Sequence, residues 1–335
     1  MQFYQLSDED IIHLSLSHVG NVVFYIDEQA RKKIGIDVKH ITGKAADNIT
    51  REIDIWTHNY YKLVHSQDFG DRVKITGEEE VKDEVPIGAK CEVEQIHTKE
   101  KILEDIVASI DAVDGTDLVY RGFYNWCTAL FFYVPNKRII ASFVGIPSGI
   151  SNPFGFVYYS FQGATYKTWL VKDPEKTLRW TSSEITIPED IKKKQLKDVS
   201  ICFYGQKAGN LLGWLQADSF KNLLRTIDIE TQKKKAIGER DVPTFRIYNF
   251  GGNPMMVKLA ESKVDAVIEL KGQKVYDCIP GAQIAVNAGA FWGDLEGNEI
   301  NETYLLKAIA EDKRLSYILA SSKSLYDNLL ENLKD

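Results

Sequence analysis

The sequence predicts an α/β protein, α+β in the way its strands cluster, built from alternating layers of helices and sheets. Three observations predict it. Helix-period apolar stripes occupy the first 65 or so residues, short strands follow one another from Trp126 to Leu170, and beyond Ser200 short apolar strands alternate with helices. At 335 residues the chain can bury a large core. It reads as an N-terminal lobe over residues 1–200, carrying the antiparallel sheet, and a C-terminal α/β lobe over 201–335.

Ser7-Asp8-Glu9-Asp10 has the form of a helix start, with carboxylates in the first turn where the dipole favours them. A long amphipathic helix through Ile11, Leu14, Val22 and Ile26 should follow, then a second through Ile49, Ile53, Trp56, Tyr60 and Leu63. Asp54 lies beside that second stripe rather than opposite it. A polar stretch to about Glu104 reads as a loop or insertion. Ile106 to Ile110 is a short buried strand, and strands at 126–134, 138–146, 155–161 and 164–170 form an antiparallel meander. Met255 to Ser262 reads as a helix, Ala266 to Ile268 as a strand, and Pro280 as the opening of a further helix. Tyr317 to Ala320 is a strand before a terminal helix capped near Ser321 or Ser322 and carrying Leu325, Leu329 and Leu333.

Composition removes several classes of function. A formal charge of −7 argues against a nucleic-acid polymer, which needs a basic face. Lys192–Lys194 and Lys233–Lys235 are read as solvated surface among acidic neighbours. No apolar run approaches the length of a membrane span, and the N-terminus lacks the pattern of a secretory signal. The four cysteines, Cys91, Cys127, Cys202 and Cys278, are widely spaced, as expected of reduced thiols in a cytoplasmic protein. The histidines show no ligand spacing, and neither a P-loop nor a G-x-G-x-x-G nor a G-x-S-x-G pattern occurs.

The chemistry is concentrated in Asp111-Ala112-Val113-Asp114-Gly115-Thr116. Two carboxylates three residues apart at a strand end can converge on one point, which is costly without a cation between them. Gly115 lets backbone N–H groups approach an anion, and Thr116 adds an oxygen able to orient a water. Carboxylates for hard cations beside amides for phosphate suggest metal-assisted phosphoryl chemistry; the same residue types also make ordinary turns.

Other segments decide between these readings. The hexapeptide resembles the D-P-[IL]-D-G-T signature of the inositol monophosphatase family of magnesium-dependent, lithium-sensitive phosphatases, and Gly122 and Trp126 stand where the family often has glycine and an aromatic. Gly77-Glu78-Glu79 resembles its G-E-E element. Lys44 to Asp54 resembles K-x-x-D-x-x-T-x-x-D, Val264 to Glu269 resembles D-A-Y-x-E, and Tyr276 to Ala282 with Ala288 to Ala290 resembles the C-terminal W-D-x-A-[AG]-x…E-A-G-G. The sequence departs from the family at Ala112 (proline), Tyr276 (tryptophan), Ala290 (glycine) and Asp117-Leu118. The gap of 33 residues from Glu78 to Asp111 is closer to that of bisphosphate nucleotidases.

The resemblance implies a layered α-β-α-β-α sandwich of the inositol monophosphatase/fructose-1,6-bisphosphatase type, acting as one catalytic unit and assembling as a homodimer. It implies two or three Mg2+ ions held by Glu78, Asp111, the Val113 carbonyl, Asp114 and Asp277, all hard oxygen donors. It makes Glu78, Thr116 and Asp54 the catalytic residues. Asp54 orients the Thr116 hydroxyl, which holds the attacking water whose pKa the metal lowers, so no histidine base is required. Asp114, Gly115, Thr116 and Glu269 contact substrate, a small phosphorylated polyol, sugar or nucleotide. The implied activity is hydrolysis of a phosphate monoester on a polyol or sugar. The alternatives are a 3′(2′),5′-bisphosphate nucleotidase, and a silent binding protein that keeps the fold.

Overall fold

A computed structural model describes residues 7–32, 38–39, 50–77, 105–147, 154–172, 178–204, 208–216, 218–238 and 242–333. Its contacts divide the chain into two compact units, one of residues 1–162 and 166–183 and one of residues 163–165 and 184–335. Both units mix helices with a mixed sheet, the α/β architecture expected.

The first unit opens with α1 (Asp8–Lys32). Its start is a capping box: the Ser7 hydroxyl accepts the Asp10 amide at 3.1 Å, and the Asp10 carboxylate accepts the Ser7 amide at 2.8 Å. A short pair, β1 (Val38–Lys39) and β2 (Thr50–Arg51), precedes α2 (Glu52–Phe69). Along α2 the apolar stripe drifts, so Leu63 is exposed while Asp54 is buried. The seven-stranded sheet has the sequential order β3 (Val73–Gly77), β4 (Ile106–Asp114), β5 (Cys127–Val134), β6 (Arg138–Pro147), β7 (Phe154–Phe161), β8 (Ala164–Lys172) and β9 (Leu178–Glu184), with α3 (Thr116–Tyr120) between β4 and β5. β3 and β4 run parallel, and β4 to β7 are antiparallel as the meander predicts. Ile11, Val22 and Ile26 of α1 and Ile53 and Tyr61 of α2 share one buried cluster with Ala108, Ile110, Leu130 and Phe132 of β4 and β5.

The second unit begins with α4 (Glu189–Lys192), β10 (Ser200–Phe203), α5 (Ala208–Gln216), α6 (Asp218–Ala236), β11 (Arg246–Tyr248) and α7 (Asn253–Ala260). It continues through β12 (Ala266–Gln273), α8 (Val275–Asn287), β13 (Phe291–Asp294), α9 (Glu302–Ala310), β14 (Leu315–Ala320) and α10 (Lys323–Leu333). Its sheet has the order β11-β10-β12-β14-β13, with β10 parallel to β11 and β12. Ile201, Ile268 and Ile318 of the sheet pack with Leu325 and Leu329 of α10, whose cap is Ser322, accepting the Leu325 amide at 3.2 Å. Pro280 does not open a helix as expected; it lies inside α8, which begins at Val275.

Among the described residues no helix is long and apolar enough to cross a membrane, and Cys127, Cys202 and Cys278 are buried and form no disulfide. Cys91, Lys44 to Asn48 and the stretch 81–104 lie outside the described residues.

Candidate active site

In a regular strand, residues three apart point to opposite faces. Asp111 and Asp114 therefore should not meet. The strand pairing removes the conflict: Asp111 stands opposite Ala129 and Asp114 opposite Cys127, so three steps along β4 match two along β5. The extra residue is a β-bulge, and it flips the phase of the strand by one position. Directly paired residues share a face, as do Ala129 and Cys127, so both carboxylates lie on one face. It is opposite the face on which Ala108, Ile110, Leu130 and Phe132 pack under the helices. Asp111 is 4% exposed. The Cys127 thiol lies 4.0 Å from Asp114 Oδ2. Burial pushes its pKa well above the ordinary thiol value, and the charges of Asp114 and then Asp111 push it further.

After the bulge the chain turns at Gly115, with φ +92°, into the single-turn helix α3. Glycine is required on two grounds. The conformation is left-handed, and a Cβ would sit 3.2 Å from the Asn125 carbonyl and 3.3 Å from Trp126 Cα. The Gly115 carbonyl accepts the Leu118 and Val119 amides at 2.8 and 3.1 Å, which fixes the turn. A helix this short has little macrodipole, so any anion affinity here comes from individual N–H groups.

Thr116 Oγ1 is 2.7 Å from Asp54 Oδ1 and 2.9 Å from the Val113 carbonyl. A hydroxyl has one proton, and the carboxylate is the stronger acceptor. With that proton on Asp54, the oxygen's lone pairs face outward as acceptors. Asp54 is 2% exposed, so its side of the hydrogen bond between α2 and α3 is shielded from water.

Two carboxylates on one face, with the Val113 carbonyl between them in sequence, form an all-oxygen donor set that suits a hard divalent cation such as Mg2+. Among the described residues no group of three or more histidine, cysteine or acidic side chains is gathered closely enough to hold an ion. Glu78, the further acidic ligand expected from this half of the sequence, lies outside the described residues.

No sequence pattern marks His58. It follows Asp54 by one turn of α2, is fully buried, and its ring carbon lies 2.9 Å from where a Gly77 Cβ would stand. Burial, and next the charge of Lys62, push its pKa down to about 4, so the ring is neutral at pH 7. A lone histidine on a helix carries no motif, so only its packing reveals it.

In the second unit Asp277 stands in the first turn of α8, and its carboxylate accepts the Lys274 amide at 3.3 Å. Glu269 is 3% exposed in β12. Its Oε1 accepts the Lys271 and Gly272 amides at 2.6 and 3.1 Å, across an irregularity in the β12–β14 pairing. Burial raises its pKa, and those two amides oppose the shift. One Glu269 oxygen thus holds its own strand in shape.

No family model matches the sequence, and no curated protein matches it. Solved structures do. A staphylococcal inositol monophosphatase-1 in a lithium chloride-soaked inhibitory complex superposes with a TM-score of 0.61 at 14% identity, over 98% of this chain and 96% of that one. An IMPase/NADP phosphatase complexed with Mg2+ and phosphate gives 0.59 at 14% identity, covering 97% and 95%. The extragenic suppressor protein suhB of Bartonella henselae gives 0.59 at 13% identity, covering 97% and 98%. The chain has the fold of the inositol monophosphatases.

Proposed function

We propose that this protein is a magnesium-dependent phosphatase that hydrolyses a phosphate monoester on a small polyol or sugar. The observation that carries the reading is the β4 bulge, which turns Asp111 and Asp114 to the same face. Asp111, Asp114 and the Val113 carbonyl are the magnesium ligands of the first unit, and the sequence resemblance adds Glu78 and Asp277. Bound magnesium would neutralise phosphate charge and make water acidic enough to attack at neutral pH.

The chain's own residues do the rest. Thr116, its proton committed to Asp54 at 2.7 Å, accepts a hydrogen bond from the attacking water and so aims the water's remaining lone pair. The Gly115 and Thr116 amides hold phosphate oxygens. Glu269 keeps one carboxylate oxygen for a substrate hydroxyl. The IMPase/NADP phosphatase and lithium-soaked structures with this fold support a phosphatase, and the 33-residue spacing of Glu78 and Asp111 favours a bisphosphate nucleotide as the second substrate class.

The test is phosphate release from a panel of inositol monophosphates, sugar phosphates and 3′(2′),5′-bisphosphate nucleotides, with magnesium, with magnesium plus lithium, and after chelation. Magnesium-dependent release that millimolar lithium suppresses is expected. Release unaffected by exhaustive chelation would end the proposal, and release from no substrate would favour a silent binding protein.

A further inference from the structure

We infer that Asn253 is a positioning residue for Asp277, acting by closing a break in the helix that carries it. α8 runs from Val275 to Asn287 with Pro280 inside it. Proline has no N–H, so the carbonyl of Tyr276, four residues earlier, loses its helical donor. That carbonyl belongs to the residue just before Asp277. An unsatisfied buried carbonyl is costly, and the last turn before a proline is where a helix bends.

Asn253, at the start of α7, is fully buried and reaches both sides of this break. Its Nδ2 donates to the Tyr276 carbonyl at 3.4 Å, and its Oδ1 accepts the Gly281 amide at 2.8 Å. The Gly281 N–H can only donate, so the amide has one workable orientation, with oxygen toward Gly281 and nitrogen toward Tyr276. The approach is close because residue 281 is glycine. A Cβ there would stand 2.9 Å from both Asn253 Cα and Met256 Cβ. Leucine or alanine at 253 would fill space but supply neither partner. The first turn of α8 is therefore tied on one side by the Asp277 carboxylate, which accepts the Lys274 amide, and on the other by Asn253. Because Asp277 sits between these two ties, its direction depends on both.

The inference rests on the reading of Asp277 as a magnesium ligand, and the experiment separates the two. Thermal unfolding midpoints are measured for the full chain, for Asn253→Ala, Pro280→Ala, the double variant and Asp277→Asn, first without divalent metal and then across a magnesium titration. KM is measured alongside. Asn253→Ala should lower the metal-free midpoint by several degrees and raise the half-saturating magnesium about tenfold, with KM changed less than about twofold. Pro280→Ala returns an N–H to the Tyr276 carbonyl, so in that background Asn253→Ala should cost less than half as much in both readouts. Strictly additive effects, or an unchanged magnesium response in Asn253→Ala, would overturn the positioning role. If Asn253→Ala alone does not fold, a folded double variant supports the role and an unfolded one overturns it. Asp277→Asn with an undiminished magnesium response would remove the ligand assignment itself, whatever the coupling between Asn253 and Pro280.

Discussion

The segment from Asp111 to Thr116 and the first turns of α8 solve the same problem in two different ways. Each presents an aspartate at an interruption in regular structure, a bulge in β4 and a proline in α8. The bulge is repaired locally: β5 continues the pairing at Cys127, and the Thr116 hydroxyl just beyond it donates to Asp54. The helix break is repaired from another helix, through Asn253. A defect in a strand can be absorbed by its own hairpin because a register slip costs one unpaired residue. A proline in a helix removes the donor that the carbonyl four residues earlier would otherwise have.

Ranked from the largest expected effect, the first way to break this comparison is to neutralise each aspartate. Asp111→Asn and Asp277→Asn should each lower kcat by about a thousandfold or more, since each would remove an anionic ligand of the proposed magnesium site. A loss confined to Asp111→Asn would show that the α8 segment does not serve the same chemistry. Thr116→Ala should come next, with kcat down about a hundredfold and KM within a few-fold, because the hydroxyl acts on water rather than on substrate. A raised KM at normal kcat would assign it to binding instead.

A smaller effect sharpens the comparison through stability, because the buried histidines of α2 belong to the first unit. Burial holds His58 at about 4, and burial with the neighbouring charge of His18 holds His65 at about 3. Both values lie below the unfolded value of 6.5, so the unfolded chain binds protons that the folded chain refuses. Their contribution is complete above pH 6.5 and is lost as pH falls from there, toward 4 for His58 and toward 3 for His65. His58 alone should account for about 3 kcal/mol at about 1.4 kcal/mol per pKa unit. Unfolding midpoints from pH 8 to 4 should be flat and then drop, and His58→Phe should flatten the drop. An unchanged acid limb in that variant would show that the ring is not the source.

Much of the fold was legible because its signals are local. Helix-period stripes gave α1 and α2, the apolar alternation from Trp126 gave β5 to β8, and the serine before Lys323 gave the start of α10. Pro280 misled because proline usually marks a helix start, and only its packing against α7, the preceding helix, shows why it is tolerated inside one. The hexapeptide singles out Asp111, Asp114 and Thr116 as candidates. It could not show how i and i+3 residues reach one face, since a bulge is defined by the partner strand. His58, Cys127 and Asn253 were invisible for the same reason: their meaning is set by neighbours from other elements. Glu269 shows the converse, a motif residue whose structural work on Lys271 and Gly272 no motif records.

The most direct test of the account is a crystal of the full chain soaked in Mn2+ as a magnesium substitute, with anomalous scattering recorded. The account predicts an anomalous peak within about 2.5 Å of carboxylate oxygens from both Asp111 and Asp114. Carboxylates pointing to opposite faces of β4, or a peak touching neither of them, would contradict it.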